Sequence, residues 1–520
     1  MPLKYAKGPV KYLYRDLPDK NGVIKRKKVK QILWGDWVHV VGPETGDWLN
    51  VTYGKKPYFM REDDLQDRRT LEIIFLDIGQ GDACIVTEPG DDPNPRVMVV
   101  DAGIGSNTNG FLHWRFRDFD VGTLHAAIVT HPDKDHYYGF NPIFKNPDYT
   151  IEKVYHSGVV ERTGDDLMGP VVGGYLTDVI TTDSAIRAFY NDDANRGRKQ
   201  YPKTIKAAMD NPKVGTIEAL TTHHGTIEDD RTYMPGFAPS DDGLIDIEVL
   251  GPVIEPDATG QPRLRAFGSK PTSGTINDGK TKNGHSILLR LHFNGFRVLF
   301  GGDLNTFAET FLMQHYGEVT VSTPLDAADA EIDAIADAGV IETAAERFDV
   351  DLMKCCHHGS SDVTEEFLTA AAASAYVISS GDEEGHVHPR PDLLGLLGKT
   401  GDGPRPLLLS TELLRSTREK ESPALRKKLD AVAIKIEEQV ALGPDKDADL
   451  LKNLRAERKK LVDEAFKRNV GVYGAVNLRT DGETAIIAFR KEKSSATNRW
   501  FYYELNRAAQ GNFIPELKGH

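Results

Sequence analysis

Cysteine is nearly absent: the 520 residues hold three, Cys84, Cys355 and Cys356, and the last two are adjacent in an apolar stretch. No disulfide framework can be assembled from such a set, so the thiols read as small core hydrophobes and burial has to hold the fold. Long apolar runs are missing too. No segment approaches the ~20 uninterrupted apolar residues of a membrane-spanning helix, so no membrane partner is expected. The opening residues, MPLKYAKGPVKYLYRDLPDK, mix charge with aromatics and lack the apolar centre of a secretory leader, which leads us to expect a cytoplasmic protein. Positive charge is in short supply: 64 Lys and Arg face 78 Asp and Glu, a net charge of −14. That balance argues against a large nucleic-acid-coating surface, because such affinity comes from Lys and Arg displacing counterions. A small substrate, or a strand gripped in a cleft, needs only local charge. The basic runs Lys25–Lys30 and Arg263–Lys270 read first as solvated faces.

What is present is a mixed α+β chain too long for one core, since single cores stop growing near ~250–300 residues. Within residues 1–66, the stretch from about Val29 to Leu65 alternates β-branched and aromatic residues between Gly, Asp and Pro turns, the mark of a small β-barrel. The placing of Gly35, Trp48 and Tyr58-Phe59 resembles bacterial Src-homology-3-type modules. Residues 67–420 carry buried strands such as Leu71–Ile78, Leu124–Thr130, Ser286–Phe293 and Val350–Lys354, with helical stretches at Ala327–Ala345 and Thr364–Ala373. Within them, residues 157–275 read as a long insertion roofing one side of the site. Residues 421–468 form a helical hairpin, with Leu425, Leu429, Val432 and Ile436 facing Leu450, Leu454, Leu461 and Ala465. Residues 469–520 close as β-strands packed on the central domain. The barrel and the hairpin are the places where a protein partner would dock.

The densest chemistry lies in Ile128–Gly139, IVTHPDKDHYYG, where a buried strand ends and His131, Asp133, Asp135 and His136 follow within six residues. One such residue is usually a turn former; four at a strand mouth, where backbone direction is fixed, can serve two metal ions.

HPDKDH resembles the HxHxDH metal motif of the metallo-β-lactamase superfamily, with Asp133 in place of the middle His. Together with FLDIGQGDA at Phe75–Ala83 and VVDAG at Val99–Gly103, it looks like the branch that contains the hydrolase domain of ComEC-type DNA-uptake proteins. Further pieces follow in order: NGHSILLRLHFNGFRVLFGGDLN at Asn283–Asn305, DLMKCCHHGSSD at Asp351–Asp362 and GHVHPRP at Gly385–Pro391. The resemblance implies a four-layer αββα sandwich with two divalent metal ions. One would be held by His131, Asp133 and His285, the other by Asp135, His136 and His358, with Asp303 bridging. It implies that one of the adjacent pair His357 and His358 binds metal, taken as His358. The other, His357, would face the substrate with His388. Asp101 would orient a ligand from behind, and Asp77, Gln80 and Asp82 would shape a loop beside the site.

From this set we expect a phosphodiesterase or nuclease acting on nucleic acid or a nucleotide. Two cations ~3.5–4 Å apart can bring a water's pKa toward ~7, so that hydroxide attacks phosphorus. Asp135, His357 and His388 are the expected catalytic side chains. Asp133 in place of a nitrogen ligand leaves zinc and manganese ranked together, with magnesium admitted. Two rival readings are a hydrolase of a small ester, such as a phosphocholine ester or lactone, and a partner-binding scaffold with a vestigial metal site.

Overall fold

The computed structural model describes residues 2–115, 122–164, 167–268, 277–320, 330–381, 387–411, 423–445, 447–467, 475–508 and 513–518. Strands and helices mix throughout, in several sheets. The first 66 residues form a seven-stranded antiparallel sheet around a small core of Ala6, Leu13, Ile32, Val38, Val51 and Met60. Two larger sheets, of ten and eight strands, follow.

In the ten-stranded sheet Val97–Ala102, Thr123–Val129, Thr150–His156 and Val214–Ala219 run parallel. In the eight-stranded sheet the parallel run is Phe296–Phe300, Leu352–Lys354, Ala375–Ile378 and Leu407–Ser410. Val97–Ala102 and Ala375–Ile378, inside these runs, are buried on both faces, as parallel sheets require. Phe75, Val86 and Ile128 of one sheet share a buried cluster with Leu289, Val298 and Val377 of the other. On the outer face of the first, Ile85 and Val129 pack with helix residues Phe111, Ile143 and Ile205. On the outer face of the second, Leu299 and Met353 pack with Phe311, Phe348 and Phe367. No helix among the described residues is long and apolar enough to cross a membrane.

Three readings of the sequence change at this level. The stretch 157–275 contributes strands to both large sheets: Val214–Ala219 forms the edge of the ten-stranded sheet and Asp246–Gly251 pairs with Leu288–Phe293. The helix expected at Ala327–Ala345 is two, Ala330–Ile335 and Ala338–Phe348, because Asp337 caps the second by accepting from Gly339 N–H at 2.8 Å; residues 327–329 lie outside the described ones. In the pair Pro423–Ala441 and Ala448–Lys467, Leu451 is buried and Leu450 faces solvent, one position off the expected stripe. Arg458 of the second helix donates to Asn146 at 3.2 Å, which seats the pair on the central domain.

Candidate metal centre

The site assembles where parallel strands of both large sheets end. The strand Thr123–Val129 is held in register by its neighbours, so the next residue, Thr130, arrives beside Asp101 at the end of Val97–Ala102. Thr130 donates its N–H and its hydroxyl to the two Asp101 oxygens, at 2.9 and 2.7 Å. A short helix, Lys134–Tyr137, then turns the chain back, and the His136 Nδ1–H also donates to Asp101 Oδ2, at 2.8 Å. Asp101, expected to orient a ligand, thus holds Thr130 and the His136 ring. The GQGDA loop closes against the same turn. At Gly81, with φ of 118°, a Cβ would lie 2.3 Å from the Asp135 carbonyl oxygen, so only glycine fits.

The second segment is Ser286–Asp303. The Ser286 hydroxyl donates to Asn283 O at 2.8 Å and accepts from Asp303 N–H at 3.0 Å. Its other lone pair faces His131 Nδ1 at 3.2 Å. The Thr130 hydroxyl, whose hydrogen is committed to Asp101, stands 3.1 Å from the same nitrogen. Both neighbours of Nδ1 are therefore acceptors, so His131 carries its proton there and presents Nε2 as a lone pair. The third segment follows Leu352–Lys354. His357 and His358 both adopt positive φ, which swings the His358 ring inward. Its Nδ1–H donates to Ser379 O at 3.1 Å.

Three imidazoles thus have Nδ1 engaged by outer partners, the arrangement that fixes metal-binding histidines, and the Nε2 atoms of His136 and His358 lie 3.2 Å from each other. All three Nε2 atoms face the Asp303 carboxylate: Oδ2 lies 3.9 Å from His131, 3.2 Å from His136 and 3.1 Å from His358. Asp133 Oδ2 is 3.6 Å from His131 Nε2, and Asp135 Oδ2 is 3.4 Å from His358 Nε2. Asp82, His136, Asp303 and His358 can offer ligand atoms that all lie within 4.8 Å of one another. The buried His131 Nε2 and Asp303 Oδ1 have no hydrogen-bond partner among the described residues. A cation would satisfy both, so the donor set fits a metal.

The electrostatics point the same way. Burial pushes the His136 and His358 imidazoles down, but Asp303, with Asp101 beside one ring and Asp82 beside the other, lifts both well above the usual range. Burial opposes the Asp303 charge, and the same two rings hold its carboxyl well below the carboxylate range. Metal ligands must be deprotonated, so cation binding at such a site releases protons.

Of the residues expected from the sequence, His131, Asp133, Asp135, His136, Asp303 and His358 come together. His285 does not. It caps the helix Asp278–Gly284, its ring centroid lies 4.9 Å from that of Phe267, and Nε2–H donates to Arg265 O at 2.6 Å. Its neighbour Ser286 faces the site instead. His357 and His388 stand beside each other at the margin, ring centroids 6.1 Å apart; Gly385 and His386 of that loop lie outside the described residues. Asp133 has a competing partner, since Lys282 of the preceding helix forms an ion pair with it.

Two participants escaped the sequence reading. Asp82, expected only to shape its loop, points into the cluster, 3.3 Å from His358 Nδ1. Lys354, buried at the end of its strand, forms an ion pair with Asp82 and donates to Gly302 O at 3.0 Å. Burial pushes the Lys354 ammonium down, yet Asp82 and Asp303 keep it firmly charged. Lysine is almost never fully buried without a partner, so a lysine closing the apolar strand at Leu352–Lys354 was the signal available. No family model matches the chain, and no curated protein matches it.

Proposed function

We propose that this chain is a metal-dependent phosphodiesterase or nuclease of the metallo-β-lactamase superfamily, in the branch of ComEC-type hydrolase domains. One observation carries the reading: three imidazoles, two from the HPDKDH loop and His358 from a distant segment, have Nδ1 occupied and Nε2 turned onto one carboxylate, Asp303. Helices packed outside two sheets that share a core are what the αββα sandwich of that superfamily requires. A site at the carboxyl ends of parallel strands is where α/β folds hold ligands. A cytoplasmic location goes with this reading.

His131, Asp133 and Asp303 would hold one divalent cation, and Asp135, His136, His358 and Asp303 the other. When bound, the cations supply Lewis acidity toward a phosphoryl oxygen and make water a stronger acid. With His285 outside the set, three imidazoles face three carboxylates, a harder donor set than the motifs alone imply. That moves the preference from zinc toward manganese and magnesium. Lys354 neutralises Asp82 and so keeps that carboxylate from repelling Asp303. His357 and His388 are left for substrate. Burial lowers His357, keeping it neutral at pH 7 with one N–H for a phosphoryl oxygen, and His388 would return a proton to the leaving oxygen.

The test is hydrolysis of bis(p-nitrophenyl) phosphate, single- and double-stranded DNA, RNA and cyclic nucleotides by the metal-loaded protein, beside lactones and thioesters. Phosphodiester cleavage that needs manganese or zinc and disappears in Asp303→Asn is the expected result. Turnover of lactones alone would replace phosphoryl with acyl transfer. Unchanged activity in Asp303→Asn would sink the mechanism.

A further inference from the structure

Residues 1–66 carry charge opposite to the rest of the molecule. They hold thirteen Lys and Arg against eight Asp and Glu, a surplus of five positive charges in a chain whose net charge is −14. The antiparallel register decides where those charges go. Tyr14 pairs with Lys28 on one side and Phe59 on the other, Asp16 pairs with Arg26, and Trp48 pairs with Arg61. Cross-strand partners share a face and side chains alternate along a strand, so the aromatics Tyr12, Tyr14, Trp48 and Phe59 lie on one face with the cations Arg26, Lys28 and Arg61. The side chains meet as this parity demands. Tyr14 and Trp48 have ring centroids 4.9 Å apart, edge to face. The Arg26 guanidinium lies 3.7 Å from the Phe59 ring and 4.8 Å from that of Trp48, Lys28 lies 4.0 Å from Tyr12, and Arg61 lies 5.3 Å from Trp48. The small core of this sheet is on its opposite face, and the rings are half-buried while Lys28 and Arg61 are exposed.

We propose that this face binds single-stranded nucleic acid. The inference rests on the phosphodiesterase reading for its purpose, which is to hold a polynucleotide whose scissile bond enters the metal centre. Aromatic rings interleaved with Lys and Arg on a sheet give two things that a single strand uses: flat surfaces for unstacked bases and positive charge for the backbone. A guanidinium lying on a ring is itself a plane on which a base stacks. In a duplex the base faces are hidden, so these rings have nothing to stack on. An acidic peptide would use the charges and leave the rings idle. Arg26, Lys28 and Arg61 share one face with the four rings, with Asp16 paired to Arg26 there, and cations set among rings are the complementarity that selects a polyanion with aromatic bases.

The experiment is fluorescence anisotropy of a labelled oligonucleotide with the full chain in EDTA, where metal-dependent cleavage is off. The arms are the single strand, the matching duplex and anionic lipid vesicles. The single strand should bind best, with affinity falling as salt rises. Lys28→Gln combined with Arg61→Gln changes only exposed groups; it should weaken binding about ten-fold and reduce the slope of log affinity on log salt by about one to two. Trp48→Ala should weaken it about ten-fold or more through lost stacking, with circular dichroism as the check on folding. The double variant should hydrolyse bis(p-nitrophenyl) phosphate as the parent does, because that small ester needs no barrel. Absence of single-strand binding, equal preference for duplex or vesicles, or indifference to the Lys28 and Arg61 changes would overturn the proposal. Strand binding without any hydrolysis would leave it standing and remove the phosphodiesterase reading; hydrolysis without strand binding would do the reverse.

Discussion

At the scale of single residues, the pair His285 and Ser286 separates a ligand-like sequence position from a position that works. His285 spends Nε2 on a carbonyl and packs on Phe267, away from Asp303. Ser286 joins His131 to the Asp303 backbone through one hydroxyl. His285→Gln should therefore leave metal content unchanged and cost only a stability change of ~1 kcal/mol, the worth of a buried hydrogen bond. Ser286→Ala should lower metal affinity ~10–100-fold, the usual effect of removing an outer partner of a ligand histidine. Metal analysis of the purified variants after dialysis reads both, and the opposite ranking would return His285 to the ligand set. Sequence cannot choose between these neighbours, because the turn at the end of Asp278–Gly284 decides which of the two faces the site. The four polar residues after Thr123–Val129 are legible for the opposite reason: a buried strand fixes where its last residue points. Lys354 was missed although a lysine closing an apolar strand marks an anomaly of burial, and Asp82 was missed because a Gly-rich loop needs an Asp for its turn as readily as for a site.

Among the elements, the helices Thr306–Tyr316 and Glu365–Ala371 are joined by a buried carboxyl. Glu309 accepts from Thr364 N–H and from the Thr364 hydroxyl, the residue that caps the second helix. Burial raises its pKa from 4.5 to about 8, although both Thr364 bonds oppose the shift. A folded value above the unfolded one means that the native state holds an extra proton between those pH values, so stability falls as pH rises through that window. The penalty at pH 7 is on the order of 3 kcal/mol. Glu309→Gln keeps an acceptor for Thr364 and removes the titration. Melting followed from pH 5 to pH 8.5 should show the parent losing stability with pH while the variant stays comparatively level; parallel curves would show that Glu309 ionises freely in the fold. Boundaries at this scale were readable where a cap is strong and the apolar period is unbroken, as at Thr364. They were lost inside 157–275, where Val214–Ala219 finds its sheet partner, Thr150–His156, some sixty residues back. Pairing across that separation leaves no local pattern, and the Gly- and Asp-rich loops around it look like an insertion.

Across the whole molecule, four charged side chains tie three parts of the chain together. Arg479, on the C-terminal strand Val476–Thr480, lies directly across from Glu72 on Leu71–Phe75, and the two form a buried ion pair. Arg115, from the helix Asn107–Arg115, donates Nε–H to the other Glu72 oxygen at 2.9 Å and lies 3.9 Å over the ring of Trp37. Asp36, in the N-terminal sheet, sits 3.4 Å from Arg115 and 3.7 Å from Arg479. The cluster is neutral, with two guanidinium groups and two carboxylates, and each member is at least nine-tenths buried. Its worth lies in balance. Removing one charge strands its partners in a medium that cannot solvate them and costs ~3–5 kcal/mol, whereas exchanging a matched pair for apolar side chains is close to neutral. Glu72→Met should accordingly lower the melting temperature by several degrees, and Arg479→Met should do the same. The double variant should recover most of the loss, because Arg115 and Asp36 remain as a balanced pair. Calorimetry should also show the N-terminal sheet and the C-terminal strands melting with the centre in the parent. In the single variants a separate early transition should appear, because the stranded charge lies where those parts meet. Additive losses in the double variant would mean that Glu72 and Arg479 stabilise the fold independently of one another, and the three parts would then be held by their apolar contacts alone.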